Sequence, residues 1–252
     1  MSGHSKWSTI KRKKGAADAK RGAIFTKLGR EITIAAREGG GDPNTNFRLR
    51  LVIDNSRQAN MPKDNIERAI KRGTGELKGA ALEEILYEGY GLKGTALLIS
   101  VLTDSRNRAV AAVRRVLTRS GGSLGATGCV AWLFDRKGYI IVEPEENDPE
   151  ELALLSIDIG AEDVKIENDF VEVFTSVEDF QRIREALRNE GLKLVTEEIS
   201  WIPKSTAQLS EKEILQNMSL IDDLEELEDV QQIYSNLEIP DDLLAKYESQ
   251  AA

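Results

Sequence analysis

Few residues of this 252-residue chain are of types that could do covalent or redox chemistry, and their spacing mostly argues against it. Gly89, Gly91 and Gly94 have the G-x-G-x-x-G spacing of a dinucleotide fingerprint. That turn works by following a strand and opening a helix whose N-terminus holds pyrophosphate. Here strand-like runs lie on both sides, so the glycines read as a hairpin bend. Gly121-Gly122-Ser123-Leu124-Gly125 fits the pattern of a nucleophile elbow, which must follow a strand. It follows a helical pattern instead, and the single histidine, His4, lies on the far basic end. One histidine and one cysteine cannot assemble a zinc cluster, and no phosphate-loop lysine-serine pair is present. Cys129, alone, excludes an internal disulfide, which suits a reducing compartment; it reads as a buried residue beside a strand. Glu145-Glu146 and Glu225-Glu226 read as solvated acids, because acid–base work needs perturbed groups in a pocket. The expectation is no catalytic residue, no metal, no cofactor and no enzyme activity.

The chemistry that does stand out is binding to polyanion. Residues 1–80 hold 18 Lys and Arg against 8 Asp and Glu, whereas residues 81–252 hold 16 against 35, so the overall −9 conceals two opposite ends. Such asymmetry marks a nucleic-acid-binding or membrane-binding end. No apolar run approaches the ~20 residues of a membrane span, and no apolar signal core is visible; the expected location is the cytoplasm. The candidate contacts are Lys6, Trp7, Lys11, Arg12, Lys13 and Lys14 on the N-terminal arm, with Lys20, Arg21, Lys27, Arg30 and Arg37 following. Arg50, Arg57, Lys63, Arg68, Lys71 and Arg72 complete the set. Lysine and arginine neutralise phosphates and release counterions. Trp7 either stacks on a base or ribose or pins the arm to its own domain.

These side chains need helices to hold them. Stepping 100° per residue from Lys20 gathers Ile24, Phe25, Leu28, Ile32, Ala35 and Ala36 on one side, with Lys20, Lys27, Arg30 and Arg37 roughly opposite. A second helix, expected to start at Pro43-Asn44, carries Leu49, Val52, Ile53 and Ser56 on one face. Asn60-Met61-Pro62 breaks it. A third, short helix puts Ile66, Ala69 and Ile70 inside and Lys63, Arg68, Lys71 and Arg72 outside, ending at Gly73-Thr74-Gly75. The pair reads either as a helix-turn-helix or as an ordinary helical corner; the third helix has few side chains suited to bases.

Beyond residue 82 the pattern changes to strands: Ile85–Tyr87, Ala96–Leu102, Val130–Phe134 and Tyr139–Val142, the last two about a turn at Asp135–Gly138. A helix carrying Val110, Val113, Val116 and Leu117 lies between the second and third. Residues 139–203 run strand, helix, strand, strand, helix, strand, a ferredoxin-like unit. A capping-box pair, Ser210 and Glu213, opens another helix, and Val230–Tyr234 reads as a last strand. The expected fold is α+β: a basic helical domain (1–80), a discontinuous α/β sandwich (81–138 plus 204–252) and an inserted ferredoxin-like sandwich (139–203).

Several stretches carry a family likeness. Gly3-His4-Ser5-Lys6-Trp7, Asp18-Ala19-Lys20-Arg21-Gly22, Phe25-Thr26-Lys27-Leu28, Ala35–Gly40, Asn60–Ile70, Tyr87–Gly91, Leu102–Arg108 and the turn Gly121–Gly125 closely resemble the YebC/PmpR family. The likeness runs through the whole chain; Leu92-Lys93 departs from the expected glycine- or proline-rich turn. The resemblance implies three domains, one helical and two α/β, around a cleft, and a non-enzymatic role. Bacterial members are described as transcriptional regulators that bind DNA. A mitochondrial relative is described as a translational activator, and some bacterial relatives are linked to ribosomes translating proline-rich stretches. Transcriptional regulation through DNA is the expected role, with ribosomal RNA and translation as the alternative. A protein-interaction scaffold using the acidic α/β domains is the second alternative. A monomer is expected.

Overall fold

The computed structural model describes residues 18–79, 81–167, 170–240, 243, 244 and 247. Three helices come first: α1 (Asp18–Gly39), α2 (Phe47–Gln58) and α3 (Lys63–Gly73). The second starts at Phe47 and not at Pro43, because Asn46 is its cap. The Asn46 side chain accepts from the Leu49 N–H at 3.0 Å and donates to the carbonyls of Ala35 and Gly40 at 2.7 and 2.8 Å. One buried amide therefore satisfies an orphan donor of α2 and staples it to the end of α1. Ile32, Ala35, Ala36, Leu49, Val52, Ile53, Met61, Ile66 and Ala69 form the core, with Phe25 and Leu28 at its rim. A side chain at Gly73 would meet the Thr33 carbonyl at 2.5 Å, and Thr33 Oγ1 donates to the Ala69 carbonyl at 3.2 Å. That close approach fixes α3 on α1.

Next come β1 (Glu83–Tyr90), β2 (Ala96–Thr103), α4 (Arg106–Arg119), β3 (Ser123–Leu124) and β4 (Phe134–Glu143). The glycine-spaced segment is the β1–β2 hairpin bend, with Tyr90 opposite Ala96 and Lys93 and Gly94 at positive φ. Ser123 sits in β3 paired to Tyr90, outside the strand-to-helix turn that a nucleophile elbow requires. Two expectations fail here. Ala131–Leu133 is a short 3-10 turn instead of strand, and no turn forms at Asp135–Gly138. The long partner β7 (Lys193–Pro203) runs beside the whole of β4, from Phe134 against Pro203 to Glu143 against Lys193. Continuous pairing satisfies the backbone that a turn would have left open.

The remaining elements are α5 (Pro149–Ile159), β5 (Asp163–Glu167), β6 (Phe170–Thr175), α6 (Phe180–Asn189), β7, α7 (Glu211–Glu225) and β8 (Val230–Ser235). They complete seven helices of the α type and eight strands among the described residues. Two antiparallel sheets result, β3-β1-β2-β8 and β5-β6-β4-β7. The second order is that of a ferredoxin-like unit. Its strands lie wholly between β3 and β8, so the first sheet closes only after the second is complete.

Each sheet has a helical layer on one face. Leu97, Ile99 and Val101 of β2 pack under α4 (Val113, Val116, Leu117) and α7 (Ile214, Met218, Ile221, Leu224). The alternate residues Ala96 and Leu98 face Val130 and Phe134, which is why β2 is apolar on both sides. In the other sheet Ile140, Val142, Val171 and Val173 meet Leu152 of α5 and Phe180, Ile183 and Leu187 of α6. Glu88 of β1 is 5% exposed, and its carboxylate accepts the backbone N–H groups of Gly128, Val130 and Ala131 at 2.5, 2.8 and 2.8 Å. Burial pushes this carboxyl up, but the three donors outweigh it and its pKa lies below the usual glutamate value.

The helical bundle is gripped from two sides. Leu51 of α2 belongs to the core of the β5-β6-β4-β7 sheet, and Phe47 meets Phe180 edge-on at 6.0 Å. Arg184 of α6, 2% exposed, pairs with Asp54 of α2 at 3.0 Å and also with Glu197 of β7, which Arg188 holds at 2.7 Å. On the other side α1 docks on the first sheet through its cations.

Candidate nucleic-acid interface

The two-faced reading of α1 is only half of what the structure does with this helix. Ile32, Ala35 and Ala36 are core, yet the cationic side is also covered. Lys27 Nζ donates to the Glu225 carbonyl at 2.7 Å. Arg30, its side chain 17% exposed, donates to Asp229 Oδ1 at 2.9 Å and to the carbonyls of Leu102 and Glu228 at 3.2 and 2.9 Å, and pairs with the Glu228 carboxylate at 2.5 Å. Asp229 in turn takes Arg108 of α4 at 3.0 Å and Thr103 Oγ1 at 3.2 Å. Arg108 also holds the Asp104 carboxyl below its ordinary range through a hydrogen bond and its charge. Lys27 and Arg30 are thus fasteners between α1 and the α7–β8 corner. A helical wheel carries no information about a second neighbour.

Other sequence-predicted contacts are spread over different environments. Lys6, Trp7, Lys11, Arg12, Lys13 and Lys14 lie outside the described residues. Lys20 falls in the first turn of α1 and Arg21 is exposed just after it. Arg37 donates to the Leu82 carbonyl at 2.8 Å. Arg50 is turned back on its own chain, to the carbonyls of Pro43 and Asn44, both at 2.8 Å. Arg57 pairs with Asp54 at 3.5 Å and Lys63 with Glu67 at 3.5 Å, one turn away in each case. Such exposed pairs contribute little and open readily to a competing phosphate.

Arg68, Lys71 and Arg72 differ from all of these. They stand exposed on the outer face of α3, and their side chains make no ion pair or hydrogen bond among the described residues. The sharp amphipathicity of this helix explains the placement: Ile66 and Ala69 face the bundle, so positions 68, 71 and 72 must face out. Arg68 and Arg72 are one turn apart, about 6 Å along the axis, a span that meets roughly two charges of one nucleic-acid strand at 3.4 Å each. Lysine and arginine at this end also complement the helix dipole. Lys78, absent from the predicted set, is also exposed, beside Gly79, which lies against the Arg72 side chain; its signal is the charge balance of the first eighty residues. The geometry suits sugar-phosphate contacts, which set position without reading sequence. Among the described residues no His/Cys/Asp/Glu group could hold a metal ion, and no helix is long and apolar enough to cross a membrane.

Comparison with known proteins places these elements in a family context. Residues 5–76 match the model of the TACO1/YebC protein N-terminal domain, and residues 82–237 match that of the TACO1/YebC second and third domain. A probable transcriptional regulatory protein of Dehalococcoides mccartyi is 51% identical over 251 residues, covering 100% of both chains. Another so named, from Pelotomaculum thermopropionicum, is 51% identical over 243 residues, 96% of this chain and 100% of that one. A crystal structure of a conserved hypothetical protein from Aquifex aeolicus superposes with a TM-score of 0.82 at 46% identity, covering 89% of this chain and 93% of that one. With the helical bundle and the paired sheets each matched across nearly their whole length, the chain belongs to the TACO1/YebC family.

Proposed function

We propose that this protein is a non-enzymatic, nucleic-acid-binding regulator in the cytoplasm that acts on DNA in transcription. In this reading the outer face of α3 and the basic arm before α1 meet the sugar-phosphate. The observation that carries it is the trio Arg68, Lys71 and Arg72, uncommitted cations on a bundle whose inward charges are already spent on tertiary contacts. The names of the bacterial relatives support the transcriptional role. A second reading, binding to ribosomal RNA in translation, is favoured by one feature. Apart from its cations, α3 offers bases mainly Asp64, Asn65 and Glu67, whereas RNA is met largely by shape.

The test is the salt dependence of binding to duplex DNA. Three phosphate contacts at ~0.9 each predict that replacing Arg68, Lys71 and Arg72 together by Ala lowers the slope of log K against log salt by about 2.7, with the melting curve unchanged. An unchanged slope would remove α3 from the interface. A parent protein with no salt-dependent affinity for any nucleic acid would leave the scaffold reading. Crosslinking in cells, followed by sequencing of the bound nucleic acid, separates promoter DNA from a single site on ribosomal RNA.

A further inference from the structure

Residues 105–134 contain five arginines and not one acidic residue, inside a region, 81–252, that is otherwise strongly acidic. All five arginines are on α4: Arg106, Arg108, Arg114, Arg115 and Arg119. The structure divides them. Arg108 is tied to Asp229 and Asp104, and Arg119 to Asp223 of α7 at 2.7 Å. Arg106, Arg114 and Arg115 are exposed, with no ion pair or hydrogen bond from their side chains among the described residues.

From this division we infer that α4 is a second phosphate-binding surface, in which Arg106, Arg114 and Arg115 take the backbone of the same nucleic acid that the helical bundle engages. The inference rests on the nucleic-acid reading proposed above and extends it to the acidic body. Three observations carry it. First, such a helix costs self-repulsion: Arg115 and Arg119 stand four residues apart, the like-charge spacing that destabilises a helix, and no acid on their own helix relieves them. Packing does not require them, because Ala109, Val113, Val116 and Leu117 alone make the inward face. Second, the exposed positions of α4 besides its arginines are Asn107, Ala111 and Thr118. None is large and apolar, whereas a protein partner would need a desolvated apolar or aromatic anchor. Third, α4 starts beside the bundle. Asp229 holds Arg30 of α1 and Arg108 of α4 in one carboxylate, at 2.9 and 3.0 Å. Arg108, in the first turn of α4, is therefore tied to α1 through one carboxylate, and Arg114 and Arg115 stand about 10 Å further along the helix axis.

The test uses the full chain with Arg106, Arg114 and Arg115 all replaced by Ala, and two probes, a mixed-sequence DNA duplex and the RNA duplex of the same sequence. Each contact contributes ~0.9 to the salt slope. Between about 50 and about 200 mM salt the parent should then lose roughly 40-fold more affinity than the variant. Loss on DNA, on RNA or on both supports the surface and names its ligand. An Arg119→Ala variant, whose side chain is already committed, should keep the parent slope. If the triple variant keeps the parent slope on both probes while the α3 variant loses it, the inference fails and the proposed function stands. If the parent shows no salt-dependent binding to either probe, both fail. If the triple variant binds nucleic acid as the parent does but no longer binds polyglutamate, the face belongs to an acidic protein and the inference is overturned.

Discussion

Arg30→Ala separates a fastener from a phosphate contact. The Arg30 guanidinium is largely buried between α1 and the β2–β8 edge, and its loss removes hydrogen bonds to Asp229, to Glu228 and to two carbonyls. Glu228, 73% exposed, adds little. The bond to Asp229 is the one that counts, since that carboxylate is only 11% exposed. Truncation does not strand it, because Arg108 and Thr103 still donate to it. The expected cost is therefore about 2 kcal/mol, the range of a hydrogen bond to a charged group, and not the ~3–5 kcal/mol of a buried charge left alone. Urea denaturation followed by circular dichroism should show the midpoint falling, and in parallel the salt slope for duplex DNA should stay at the parent value. A variant as stable as the parent whose slope drops by ~0.9 would refute the assignment and return Arg30 to the binding surface.

Arg184→Ala should cost more, about 3–5 kcal/mol. Arg184 is 2% exposed, and its loss leaves the 4%-exposed side chain of Glu197 with Arg188 alone and removes the Asp54 ion pair from α2 to α6; proteolysis within the bundle should quicken with the fall in stability. Glu88→Gln should destabilise the protein by about 1–3 kcal/mol at neutral pH, because one neutral carbonyl oxygen replaces a carboxylate shared by three N–H donors. The folded-state pKa of Glu88 is depressed, so its contribution is present above the unfolded value near 4.3 and is lost as pH falls through the folded one. The gap between parent and Glu88→Gln in thermal melts should therefore close on acidification; a gap independent of pH would show that charge is not what Glu88 supplies.

Features that depend on near neighbours along the chain are legible in the residues alone. Periodicity placed Ile66 and Ala69 inward and Arg68, Lys71 and Arg72 outward on α3, since a helix with one neighbour has one buried face. Alternation and composition likewise announced β2 and the ferredoxin-like order of strands and helices. Tertiary structure alone decided the rest. Lys27 and Arg30 have the same residue types and helical spacing as a phosphate-binding face, and only the arrival of α7 and β8, some two hundred residues later, turns them into fasteners. Phe134–Glu143 reads locally as two strands and a turn, and becomes one strand because β7 is long enough to pair with all of it. The five arginines of α4 are identical in the sequence, and the partners that claim Arg108 and Arg119 but leave Arg106, Arg114 and Arg115 exposed lie largely on distant elements. Charge type is written residue by residue, but whether a charge is spent inside the molecule or offered to a ligand depends on which distant segment folds against it.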